Sequence, residues 1–222
     1  MKISKKIRQL NLIEFLIKKK RNTYGNISNK ITTLYLKTIR KYNNIEYLVT
    51  VGKGASFYVL AYKNQQKFFI KISNRRRSKK NEVKGYLNYH KNNSHFIKLV
   101  EYKYFLLINY ICFEYVEFKT LYEFEGSVNY KNKFPSDLLL IVENLYNTKT
   151  NHNDISDINI GIIRDGNCLR LELFDFGVME VNHKNFEQLF LQDLSKLHKI
   201  AETLLDKDGY DIFYNGTLKY LK

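Results

Sequence analysis

The stretch from Asn151 to Gly177 constrains this chain more than any other. Two short apolar runs, Ile160 to Ile163 and Leu169 to Phe174, are separated by Arg164-Asp165-Gly166-Asn167. Apolar runs of this length around an Asp-Gly pair predict an antiparallel hairpin. Such a hairpin carries Asn159, just before its first strand, alongside Asp175, just after its second. His152-Asn153-Asp154 precedes it, and Asp175-Phe176-Gly177 closes it. Alone, the first triplet reads most simply as a helix cap and the second as a turn. In this order, bridged by a hairpin, they predict one shared site.

The pattern His-x-Asp-x-x-x-x-Asn, followed sixteen residues after the Asn by Asp-Phe-Gly, resembles the signature of the protein-kinase-like superfamily. A phosphoryl group in transfer carries concentrated negative charge, so a kinase holds Mg²⁺ with hard oxygen ligands and sets a carboxylate beside the attacking hydroxyl. The resemblance therefore implies ATP and Mg²⁺ as cofactors. It assigns the metal to Asn159 and Asp175, the hydroxyl proton to Asp154, and bracing of the loop to His152.

Upstream, Glu46 to Val51 and Phe57 to Tyr62 read as strands flanking Gly52-Lys53-Gly54-Ala55-Ser56. Glycines let backbone N–H groups approach phosphates with no Cβ in the way, although a Gly-x-Gly by itself is most often a turn. Val59 falls where the kinase glycine-loop pattern places a valine, and Phe57 stands where that pattern has a third glycine. After an Asn64-Gln65-Gln66 turn, Lys67 to Ser73 forms a further strand with Lys71 between apolar neighbours. A lysine there is costly to bury unpaired, and the resemblance assigns it to the α and β phosphates, with Glu82 as its partner. Glu82 is the only acid between Lys71 and Glu101. It is expected at the head of a helix running to His90, after a short loop. Phe96 to Tyr104 and Phe105 to Phe113 read as two more strands. The phrase Phe113-Glu114-Tyr115-Val116 resembles a kinase hinge, which points to Glu114 and Val116 for the adenine.

The charge is unevenly distributed. Residues 1–45 hold 12 Lys or Arg against a single acid, Glu14, and residues 63–84 hold nine against Glu82, within a net charge of +15 for the 222 residues. Apolar residues at Ile7, Leu10, Ile13, Leu16 and Ile17, and again from Ile31 to Ile39, predict basic amphipathic helices. Such helices suit an anionic membrane surface or a polyanion, as does the Arg75-Arg76-Arg77, Lys79-Lys80 cluster; the plainer reading is a packed extension with a solvated lysine face. Cys112 and Cys168 form no Cys-x-x-Cys pair, which predicts buried free thiols in a reducing compartment. No run reaches the ~18 apolar residues of a membrane span. Leu10 to Ile17 is interrupted by Glu14 and followed by Lys18-Lys19-Lys20-Arg21, unlike a cleaved leader. A cytoplasmic protein, peripheral to membrane if the basic segment binds there, is expected.

Ser136-Asp137 reads as the cap of a helix over 138–147, and Phe186 to Leu205 as another, with Asp193 where a kinase places a carboxylate that hydrogen-bonds the catalytic loop. Residues 206–222, with Gly209 and Gly216, read as a short closing tail. The resemblance runs from about Glu46 to Leu205. It implies an α+β, bilobal fold: a basic helical extension over 1–45, an N-lobe over 46–116 with a five-stranded antiparallel sheet and one helix, and a reduced, mainly helical C-lobe over 117–222, with ATP in the cleft. Three features depart from Ser/Thr kinases. Ser156 replaces the usual loop lysine, the activation segment is very short, and the peptide-docking helices are missing. Compact relatives share these features, among them bacterial effector kinases, the kinase of the tRNA threonylcarbamoyl complex, aminoglycoside and choline kinases, and lipopolysaccharide-core heptose kinases. A Ser/Thr protein kinase is the first expectation, a glycan or small-molecule kinase the second, and a pseudokinase binding module the third.

Overall fold

The computed structural model describes residues 44–48, 56–73, 76–91, 97–104, 109–124, 134–165 and 168–221. The basic segment before Asn44 and the glycine pair Gly52 and Gly54 lie outside them. The described residues form an α+β fold that divides into two compact units, one of residues 1–79 and 97–115, the other of residues 80–96 and 116–222.

The first unit is built on a five-stranded antiparallel sheet: β1 (Asn44–Leu48), β2 (Ser56–Lys63), β3 (Gln66–Ser73), β4 (Leu99–Tyr104) and β5 (Asn109–Glu114), in the spatial order β1-β2-β3-β5-β4. Strand β1 begins two residues earlier than expected. The β2–β3 turn consists of Asn64 and Gln65, both with positive φ (51° and 67°), the pattern of the tight turn whose twist matches the strands it joins. In β3 both faces are covered, with Phe68, Ile70 and Lys71 all buried, while Tyr110, Ile111 and Cys112 of β5 complete the core. Cys112 is buried and joins no disulfide, as expected.

The second unit contains most of helix α1 (Arg76–Tyr89), then strand β6 (Phe118–Thr120), helix α2 (Phe134–Asn147), strands β7 (Thr150–Asn151), β8 (Ile160–Asp165), β9 (Cys168–Leu173) and β10 (Glu180–Val181), and helices α3 (Phe186–Leu204) and α4 (Lys207–Thr217). Strands β6, β8 and β9 form one sheet and β7 and β10 another. The apolar stripes place Phe134, Leu138, Ile141, Val142 and Leu145 of α2, and Phe190, Leu194, Leu197 and Ala201 of α3, in the core.

Three expectations are corrected. Helix α1 starts at Arg76, so the Arg/Lys cluster is its first turns and Glu82 sits well inside it; long basic side chains are good helix formers, and the acid was a misleading start signal. Helix α2 starts at Phe134, with Pro135 in its first turn, where a missing N–H costs nothing. Asp137 lies in the same first turn, and its carboxylate accepts the Leu171 N–H at 2.9 Å. The supposed tail is helix α4. Asp206 caps it by accepting the Gly209 N–H at 2.9 Å, and Gly216 lets it approach α2 closely, since a Cβ there would lie 2.5 Å from Leu139 Cδ2 and push that side chain aside.

Candidate active site

The predicted hairpin is present. Strands β8 and β9 pair antiparallel, with Ile160 opposite Leu173. Phe174, the residue beyond this pair, then does two things. Its N–H donates to the Asn159 carbonyl at 2.8 Å, and its carbonyl lies 2.8 Å from His152 Nε2. Asp175, next in the chain, is thereby tied through one backbone to both halves of the loop. It takes up a left-handed conformation (φ 54°, ψ 65°), which a non-glycine residue adopts only when its surroundings impose it.

His152 is fully buried. Burial is the main influence on its imidazole and pulls its pKa below the ordinary value, against the Phe174 hydrogen bond and the carboxylates of Asp193, Asp175 and Asp154. A neutral ring bonded to a carbonyl must carry its proton on Nε2. The ring also lies between the loop and Phe176 (centroids 5.3 Å apart), and Phe176 in turn meets Tyr86 of α1 at 5.7 Å. So enclosed, His152 is shut off from solvent.

Asn159 is buried and Asp154 exposed. The Asn159 amide Nδ2 donates to the Asp154 carbonyl at 2.8 Å and to Asp154 Oδ2 at 3.2 Å. With the donor end so committed, the amide oxygen is the end left for another partner. Asn159 and Asp175 are hard oxygen donors, the type that Mg²⁺ takes. Among the described residues no group of three or more His, Cys, Asp or Glu could cage a metal. Two protein oxygens fit an ion that keeps waters and phosphate oxygens as its other ligands.

The loop is held from below by α3. Asp193 is buried and accepts the His152 N–H at 2.6 Å and the Asn153 N–H at 3.1 and 3.2 Å. Burial raises its carboxyl pKa, opposed by these two N–H groups, by His152 and by Lys196. Lys196 was not anticipated; its Nζ donates to the Asn153 carbonyl at 3.1 Å. Its spacing three residues after Asp193 was the available signal. Also unforeseen was Asn88 of α1, which donates to the Thr148 carbonyl at 2.6 Å and to Thr150 Oγ1 at 2.7 Å.

The other predicted residues belong to the first unit, except Glu82 and Val116, which belong to the second. Lys71 lies in the middle of β3, opposite Tyr58 and Ile111, and is 5% exposed. Glu82, in the second unit, is 3% exposed. Val59 pairs with Ile70 across β2–β3. Glu114 ends β5 with an exposed side chain 3.5 Å from Lys98, and its N–H donates to the Lys98 carbonyl at 2.9 Å. Val116 is half-buried.

No protein-family model matches the sequence, and no curated protein does. Solved structures do match. "WaaP in complex with acyl carrier protein" superposes with a TM-score of 0.59 at 12% identity, covering 90% of this chain and 86% of that one. The Cydia pomonella granulovirus kinase PK-1 superposes with a TM-score of 0.54 at 16% identity, covering 80% and 75%. The fold is protein-kinase-like. Within this kinase-like chain the two triplets that predicted a shared site, with Asn159 between them, stand on one hairpin and one loop. Among the described residues no helix is long and apolar enough to cross a membrane.

Proposed function

We propose that the chain is an ATP- and Mg²⁺-dependent phosphotransferase that phosphorylates Ser or Thr hydroxyls of protein. The observation that carries this reading is the Asp154–Asn159–Asp175 arrangement: an exposed carboxylate bonded to an amide whose oxygen end is left over, with a second carboxylate anchored to the same loop through Phe174. Asp154 orients the acceptor hydroxyl and takes its proton. Asn159 and Asp175 would hold Mg²⁺, which supplies neutralisation of phosphate charge when bound. His152 and Asp193 keep the loop in place. Lys71 is read as the phosphate contact and Glu82 as its counter-charge; in support, each is an ionisable side chain buried to a degree seen almost only when such groups are partnered. Gly52, Gly54 and Val59 are read as the phosphate cover, and Glu114 and Val116 as the adenine contacts.

A second reading, a glycan or small-molecule kinase like the lipopolysaccharide-core heptose kinases, is favoured by the similarity to WaaP. That WaaP structure holds acyl carrier protein, so a protein partner distinct from the acceptor is compatible with either reading. The test is incubation with Mg²⁺ and γ-labelled ATP, with and without a generic basic protein acceptor, beside Asp175→Ala. Label on protein that the variant loses supports the first reading. ATP consumption without protein labelling supports the second, and no nucleotide binding at all overturns both in favour of a pseudokinase.

A further inference from the structure

The loop that carries Asp154 has an electrostatic problem. It contains Asp154 and Asp157, Asp175 follows on the same hairpin, and Asp193 lies beneath it, yet residues 150–163 include no Lys or Arg. His152 is neutral in its buried position, so it offers no compensating charge. Asp154, Asp157 and Asp175 are exposed, but like charges gathered around one loop still repel, and a cationic side chain from outside the loop relieves that repulsion.

Helix α3 delivers one. Asp193 and Lys196 are three residues apart, which puts them on one helix face, and both reach Asn153. Three polar groups of Asn153 are gripped: its N–H by Asp193, its carbonyl by Lys196 at 3.1 Å, and its side-chain Nδ2 by the Val178 carbonyl at 3.1 Å. The grip matters because Asn153 has φ 65°, a left-handed conformation, and immediately precedes Asp154. The peptide that Lys196 holds is the one that sets where Asp154 projects. A half-buried lysine whose head meets a backbone carbonyl at this point gives up rotamer freedom that a solvated lysine would keep.

We propose that Lys196 is a positioning residue for Asp154, fixing the Asn153–Asp154 peptide and supplying the positive charge that the loop sequence lacks. The proposal rests on the reading of Asp154 as the group that receives the hydroxyl proton. Lys196 itself touches neither acceptor nor nucleotide in this scheme.

The test uses the full chain carrying Lys196→Met or Lys196→Arg. Three quantities are measured: steady-state phosphotransfer, ATP affinity, and deuterium exchange of the peptide spanning 150–158. Lys196→Met is expected to lower kcat by about tenfold to a hundredfold, the scale of a misplaced catalytic group. ATP affinity should stay within about twofold, since Lys196 is not among the proposed nucleotide contacts. Exchange over 150–158 should rise, and Lys196→Arg should restore both kcat and protection. The proposal is overturned if Lys196→Met keeps wild-type kcat and protection, or if Lys196→Arg is as impaired as Lys196→Met. Should Lys196→Met fail to fold, Lys196→Gln, which keeps a donor without the charge, takes its place under the same criteria. If no form of the protein transfers phosphate to any acceptor, the functional reading fails, and the exchange comparison alone still decides whether Lys196 holds the loop.

Discussion

Two hairpins carry the proposed chemistry, and they do so in opposite ways. In β2–β3 the functional residue, Lys71, sits in mid-strand with a neighbour opposite it on each side, Tyr58 and Ile111, so regular pairing places it. In β8–β9 the functional residues, Asn159 and Asp175, lie just outside the strands, where pairing stops. Other contacts must finish the job: the Phe174 backbone, the buried His152 and the Asp193–Lys196 face of α3. A mid-strand side chain depends on its own ladder, and an end-of-strand side chain depends on the rest of its unit. Substitutions around β8–β9 should therefore disturb stability and activity together, whereas loss of the Lys71 amine should disturb activity far more than stability.

The largest expected effects test this contrast directly. Lys71→Met, which keeps the buried stem, and Asp175→Ala should each cut phosphotransfer by on the order of 10³-fold or more, and the thermal midpoint should stay nearer wild type in Lys71→Met than in Asp175→Ala. Near-wild-type turnover in either variant would mean that the residue has been misassigned. Next comes Asp193→Asn, which removes the charge from a carboxylate that accepts two loop N–H groups. It should lower activity by roughly a hundredfold and destabilise the chain by about 1–3 kcal/mol in chemical denaturation.

Two glycines sharpen the comparison. A Cβ at Gly161 of β8 would come within 2.3 Å of the Phe174 ring and 3.0 Å of Phe118, whereas one at Gly216 meets Leu139. Each alanine substitution should cost about 1–3 kcal/mol. Gly161→Ala should also lower kcat, because Phe174 carries the hydrogen bonds to His152 and Asn159. Gly216→Ala should leave the kcat of the folded fraction unchanged, and equal kcat losses in the two variants would erase the distinction.

An effect on stability with no change of catalytic group concerns Glu172 of β9. It is buried with neither carboxylate oxygen hydrogen-bonded, and burial, reinforced by Asp137 and opposed by Arg170, pushes its pKa from 4.5 up to about 9. Since the folded value lies above the unfolded one, this group's contribution to stability is whole below about pH 4.5. It is lost as pH rises through about 9. Stability should fall across that window with a slope of up to about 1.4 kcal/mol per pH unit, and Glu172→Gln should flatten it. Nearby His90, lowered to about 3 by burial and by Arg170, acts in the opposite sense: its contribution is present above pH 6.5 and lost as pH falls towards 3. Denaturation at pH 6 and 8.5, with and without the substitution, measures the Glu172 slope. The smallest change expected is at Gln65, which holds φ 67° in the β2–β3 turn. Gln65→Gly should stabilise by about 0.5–1 kcal/mol with activity unaltered.

Much of the site was legible because its spacing is short. Asp154 to Asn159 spans one loop, Asn159 to Asp175 spans one hairpin, and an Asp-Gly pair between apolar runs announces that hairpin. Lys71 was legible as a charge in an apolar strand. The starts of α1 and α2 were misjudged because Glu82 and Ser136-Asp137 resemble start signals, while Arg76-Arg77 extend a helix without announcing it and the start signal of Pro135 was passed over. Helix α4 was missed because Gly209 and Gly216 read as breakers, although both are there for packing against Asp206 and Leu139.

By itself the sequence determined the alternation of strands and helices, the order of the chemical groups along them, and the hairpin that joins Asn159 to Asp175. Local propensity, turn chemistry and apolar periodicity act over a few residues, and a sequence displays them directly. Tertiary structure alone decided that His152 is buried and neutral, that Asn159 turns its amide nitrogen to Asp154, and that Lys196 reaches across from α3 to Asn153. Burial and long-range hydrogen bonding depend on which segments meet, and the partners of this loop lie about forty residues away along the chain, where no local pattern records them.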